Sequence, residues 1–158
     1  MRLWIRAALA GAAAFTLANM VSNLLFFRLG RELLFEAPHQ SEKIVAVMFE
    51  MEPLPLMFTN GPLYLAIAAA IGALHGLIFL WLAPVLGTTR LARGLGFAVV
   101  TWVLLALYFE FHTPFNMFGE PPSLVAMELA FWAVVLTVHG LALSFLAGRG
   151  AGRQALTF

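Results

Sequence analysis

Four stretches of this chain, residues 5–29, 62–86, 95–113 and 123–147, are strongly apolar and almost free of charge. An α-helix rises 1.5 Å per residue, so about 20 such residues cross a hydrocarbon core about 30 Å thick. Backbone amides and carbonyls have no water to bond in lipid, so each run must close its hydrogen bonds within itself, as a helix. The expectation is an all-α membrane protein forming a single integral membrane domain over residues 1–158. The composition agrees. It is 62% hydrophobic and 11% charged, where a soluble domain is roughly half apolar and a quarter charged. The absence of cysteine excludes disulfides, thiolate metal sites and cysteine nucleophiles. The arginines stand at the ends of the apolar runs rather than in one basic patch, which argues against nucleic acid and for the lipid bilayer as partner.

The first run begins like a secretory signal, with Arg2, Arg6 and small residues from Gly11 to Ala14. It continues, however, through Val21, Leu24, Leu25, Phe26 and Phe27. A signal core has roughly 7–15 apolar residues, so a retained span is expected. Basic residues set the orientation. Arg2, Arg6, Arg90, Arg93, Arg149 and Arg153 fall on one side with no acid, while every loop acid falls on the other with Arg28, Arg31 and Lys43. The positive-inside rule then puts both termini and the tail 148–158 in the cytoplasm. The spans form two tandem hairpins of the same orientation. Eight arginines to one lysine suit a GC-rich bacterial genome, hence a multi-pass protein of a bacterial inner membrane.

The outer loop, 30–61, is net negative and broken by Pro38, Pro53 and Pro55, with Gly61-Pro62 at its end. Within it, residues 41–51 place Ile44, Val45, Val47, Met48 and Met51 roughly on one side, which predicts a short interfacial helix. Residues 114–122 (PFNMFGEPP) form a tight, proline-rich return.

Two of the spans share a register. Residues 64–83 and 128–147 match at a constant offset of 64 at eight positions, among them His75-Gly76 and His139-Gly140. This reads as an internal repeat that brings two histidines to similar depth. A neutral imidazole is a haem or metal ligand, and a following glycine lets a flat cofactor or another helix come close. Two facing histidines would hold one b-type haem. The structural alternative gives each imidazole a hydrogen bond to a neighbouring helix through Asn19 or Asn23, and gives Gly76 and Gly140 to helix packing. Thr16, Asn19 and Asn23 follow i, i+3, i+7 spacing and should face the bundle, since polar groups in lipid need partners.

Glu128 lies eleven residues, about three turns, before His139, so Glu128, Trp132, Val135 and His139 share a face. Tyr64 stands eleven before His75. Tyr64, Glu128, His75, His139, Asn19 and Asn23 make up the expected intramembrane polar site. The structural alternative for Glu128 is an ion pair with Arg28 or Arg31. In the third span, Thr101, Leu105, Tyr108 and His112 fall on one face. Two short motifs, Phe49-Glu50-Met51-Glu52 and Phe109-Glu110-Phe111-His112, place carboxylate and imidazole groups near the outer rim. Glu50, Glu52, Glu110 and His112 are the candidate ligands for a divalent metal. The plain alternative is a solvated acidic rim.

Serine-hydrolase, zincin, P-loop and dinucleotide signatures are absent. Three readings remain: a haem- or metal-binding redox or accessory subunit, a proton-coupled small-solute or ion carrier, and a purely structural subunit. A homo-oligomer or a larger membrane complex suits each of them.

Overall fold

The computed structural model describes residues 3–148, so Arg2, Arg149, Arg153 and most of the tail lie outside the described residues. Four helices are long and apolar enough to cross a membrane: α1 (Leu3–Leu29), α5 (Gly61–Leu86), α6 (Arg90–Met117) and α7 (Pro122–Ala147). Between α1 and α5 lie three short helices, α2 (Arg31–Leu34), α3 (Glu42–Phe49) and α4 (Leu56–Thr59). Local chemistry explains the long helices' starts. The Asn60 side chain accepts from the Leu63 amide at 3.1 Å, and Pro62 follows in the first turn of α5. Thr89 accepts from Ala92 at the start of α6, and Pro122 opens α7. One end of the bundle carries Arg6, Arg90 and Arg93 and is called the basic end. The other carries α2–α4 and the α6–α7 turn and is called the acidic end.

Helix association in an apolar setting depends on close packing more than on expulsion of water, so small residues set the contacts. Gly72 and Gly76 of α5 lie against Gly11, Ala7 and Phe15 of α1, and a Cβ at any of these three glycines would strike the partner's backbone or Phe15 Cβ. Gly140 of α7 lies against Gly94 and Ala98 of α6 in the same way. The glycine after each histidine therefore admits the preceding long helix. α7 also runs along α1, which joins the two pairs. Phe79, Phe97 and Leu143 fill the space toward the basic end with Ala7, Ala10 and Ala14. A second apolar cluster, Phe26, Leu34, Phe35 and Ile44, caps the acidic end.

Two expectations change in α3 and α6. The helix expected over 41–51 forms over Glu42–Phe49, and its Ile44 is buried on Phe26 and Leu34 as part of that cap. Met51 lies past its end and is exposed. In α6 the face expected to hold Thr101, Leu105, Tyr108 and His112 together is split. Thr101, Ala106, Glu110 and Pro114 are buried, whereas Leu105, Tyr108 and His112 are exposed. The cause is two π-helical stretches, Trp102–Leu107 and Phe111–Met117. Each π turn holds one more residue than an α turn and shifts the phase of everything beyond it.

The backbone contact at Gly76 gives a direct test. Gly76→Val should cost on the order of 1–3 kcal/mol, read as a lower melting temperature and poor recovery from detergent. Gly61→Ala, where a Cβ meets nothing, should behave as wild type.

Candidate functional site

The most unusual chemistry is at the acidic end, where Glu110, Glu120 and Glu128 come together. One carboxylate oxygen from each lies within 4.8 Å of the others. Glu110 and Glu120 are each 1% exposed and Glu128 is 6% exposed. The fold positions them through the α6–α7 turn. Glu110 is turned inward by the π-helical phase of α6. Gly119 adopts φ +69°, a left-handed conformation that favours glycine. The Glu120 amide then bonds the Pro114 carbonyl at 2.9 Å, which folds Glu120 back under the bundle. Glu128 comes from the second turn of α7.

Each of two carboxylates is held by one oxygen and free at the other. Trp132 Nε1 donates to Glu110 Oε1 at 2.6 Å, and Gln40 Nε2 donates to Glu120 Oε1 at 2.6 Å. Ser41 Oγ, next to Gln40, donates to the Phe118 carbonyl at 2.5 Å and ties the loop before α3 to the turn. Glu110 Oε2 and Glu120 Oε2 are buried and meet no donor apart from the neighbouring carboxyl groups. The ion pair found among the described residues, Arg31 with Glu36 at 2.9 Å, lies outside the cluster. The expected pairing of Glu128 with Arg28 or Arg31 does not form, because Arg31 is engaged by Glu36 and Glu128 faces two other acids. Three bare carboxylates at this spacing would repel by about 3–4 kcal/mol per pair at an effective dielectric near 20. The cluster therefore needs protons or a cation.

Glu110 and Glu128 line a cavity of about 260 Å³, together with Asn19, Asn23, Tyr64 and Trp132. The expected intramembrane site thus divides in two. Tyr64, Asn19, Asn23 and Glu128 share the cavity. His75 and His139 lie deeper, with His75 Nδ1 and His139 Nε2 sharing a hydrogen bond at 3.2 Å. The histidine partners are each other rather than Asn19 or Asn23. Asn19 instead accepts from the Tyr64 hydroxyl at 2.6 Å and donates to the Phe15 carbonyl at 2.9 Å. Phe15 and Phe97 pack edge-on or tilted against the imidazoles. Paired haem ligands stand on opposite faces of a porphyrin. Ring nitrogens that bond each other leave no room for one between them, so the geometry lends the haem expectation no support.

The metal ligands expected on the rim separate. Of Glu50, Glu52, Glu110 and His112, Glu110 alone joins the cluster. Glu50 and Glu52 are exposed, with Glu52 bonded to the Leu54 amide at 3.2 Å. His112 is exposed and lies tilted against Tyr108, ring centres 4.2 Å apart. Glu120 was not among the expected residues. Its signal was there in the turn itself: a tight return between Glu110 and Glu128 must bring any acid it carries near both. No protein-family profile, curated protein or solved structure matches this chain.

The Trp132–Glu110 bond can be weighed against a neutral counterpart. Trp132→Phe should cost about 1.5–3 kcal/mol, the range for a bond to a charged acceptor. Trp102→Phe, which removes a 2.9 Å bond to the Leu129 carbonyl, should cost about 1 kcal/mol. Chemical or thermal unfolding in detergent compares the two.

Proposed function

We propose that this is a multi-pass membrane protein of the accessory-subunit class whose acidic end is assembled around a hard divalent cation taken from the outer side. The observation that carries the reading is the trio Glu110, Glu120 and Glu128, buried within 4.8 Å with two oxygens unpartnered. Oxygen ligands surround Mg²⁺, Mn²⁺ or Ca²⁺ at about 2.0–2.6 Å, so ligand atoms on opposite sides of one ion stand about 4–5 Å apart. An all-oxygen donor set favours these ions over copper or zinc. Trp132 and Gln40 act as orienting partners that fix one oxygen and present the other, as outer hydrogen bonds do around metal ligands.

The orientation follows from Arg6, Arg90 and Arg93 at the basic end. With that end cytoplasmic, the two hairpins run the same way, α3 sits at the outer interface, and the cluster lies at the periplasmic end of a bacterial inner-membrane protein. A cation there would tie α6, α7 and the Gln40 loop together. Such a module is suited to holding one face of a larger membrane complex.

Thermal unfolding of chelator-treated protein, with Mn²⁺, Ca²⁺ or Mg²⁺ added back, tests this. At one hundred times its Kd a bound ion should add about 2.7 kcal/mol. The resulting rise in melting temperature should vanish in Glu120→Gln and in Glu128→Gln. If wild type ignores all three ions while both variants melt higher, the trio is held by protons. The carrier reading then takes its place.

A further inference from the structure

α5 and α7 are joined at the His75–His139 bond, and together with α1 they line a gap on the acidic side of it. The gap is a cavity of about 240 Å³ lined by Ala18, Ile67, Ala68, Ile71, Val135 and Leu136. It adjoins the cavity beside the carboxylates, and the two share Asn19, Ser22, Tyr64 and Trp132. A third cavity, about 360 Å³, opens on the flank between α1 and α5 and also reaches Asn19 and Tyr64. Three spaces therefore converge on one polar pair, the Tyr64–Asn19 hydrogen bond.

The lining says what would fill them. The gap between α5 and α7 is apolar, and apolar cavities of this size stay dry. Ile67 and Ile71 at its rim, and Met20, Leu24 and Leu65 on the flank, are exposed. In a bilayer these rims face acyl chains, so entry is from the lipid phase rather than from water. The junction offers several acceptors beside the Ser22 hydroxyl. Asn19 has its carbonyl oxygen and its amide engaged, which leaves the Tyr64 oxygen, the unpartnered Glu110 Oε2 and the Glu128 carboxyl as acceptors. An occupant needs an apolar body and a head that donates a hydrogen bond. Drug-sized ligands occupy roughly 300–1,000 Å³. These volumes thus suit a small head and the first part of a tail that continues into the membrane.

We infer that the cleft between α5 and α7 binds a membrane-dissolved alcohol or phenol, its hydroxyl at Tyr64 and Glu128 and its tail along Ile67, Ile71 and Leu136. The inferred site shares Glu128 with the proposed cation site but not Glu120, which lines neither cavity.

Photolabelling tests it. The full-length protein in nanodiscs is irradiated with a long-chain alcohol carrying a diazirine in its chain, and in parallel with the methyl ether of the same molecule. Adducts mapped by mass spectrometry should concentrate on Ile67, Ile71 and Leu136 over the lipid-facing Val99 and Leu104. The ether should label at least about five-fold less, the loss of one hydrogen bond near 1 kcal/mol. Ala68→Trp, which fills the cleft, should suppress labelling. Ile71→Trp, at the exposed rim where bulk is tolerated, should do the same if Ala68→Trp fails to fold. Even labelling of all flanks, which means bulk lipid only, would overturn the inference. So would equal labelling by the ether, or undiminished labelling in the folded tryptophan variants. Glu120→Gln separates the two proposals: it should keep cleft labelling whether or not a cation raises the melting temperature. Cleft labelling lost in that variant would count against an independent site.

Discussion

His75 and His139 share a hydrogen bond at a level otherwise filled by Phe15, Phe97 and glycine. Polar groups in an apolar interior are costly unless paired, and here one nitrogen of each imidazole bonds the other ring. The bond also fixes distance. Below it, toward the basic end, Phe79, Phe97 and Leu143 close the bundle. Above it lie the Tyr64–Asn19 bond, the cavities and the three carboxylates. One side-chain bond thus separates a packed half from an open half.

The open half concentrates negative groups where the bundle offers no compensating cation among the described residues. Trp132 and Gln40 come from different parts of the chain, yet each holds one oxygen of one carboxylate. A merely solvated rim would need no such anchoring. The α2–α4 cap, with Ile44, Leu34 and Phe35 packed on Phe26, covers the same end and keeps bulk water from Glu110 and Glu120.

Much of this architecture was legible in the sequence because it rests on length and spacing. Apolar runs of 19 to 25 residues fix four helices whatever their neighbours. The eleven-residue interval from Glu128 to His139 put both on one interior face, since α7 is a regular helix throughout. The glycines after the histidines were readable as packing contacts for the same reason. What escaped depends on departures from regularity. Thr101 and Glu110 are nine residues apart, two and a half turns of an ideal α-helix, and would point to opposite sides. The π stretch Trp102–Leu107 between them brings both inside, a shift that a periodicity of 3.6 does not foresee. Glu120 escaped because a turn between two prolines reads as surface. Its burial arises from a left-handed glycine and a carbonyl bond to Pro114, neither of which has a periodic signature. The histidine partner escaped because depth along two helices does not say which way two rings rotate.

The widened turns of α6 carry an evolutionary consequence. A helix that reaches its buried face by counting residues is robust to what those residues are and sensitive to how many there are. Most of Trp102–Leu107 faces outward, and its side chains are free to drift among apolar types. Loss of one residue from that stretch would wind it back into an α turn and swing Glu110 out of the bundle with no change to any acid. For this protein, the length of a segment that touches no ligand is as much a part of the site as the carboxylates are.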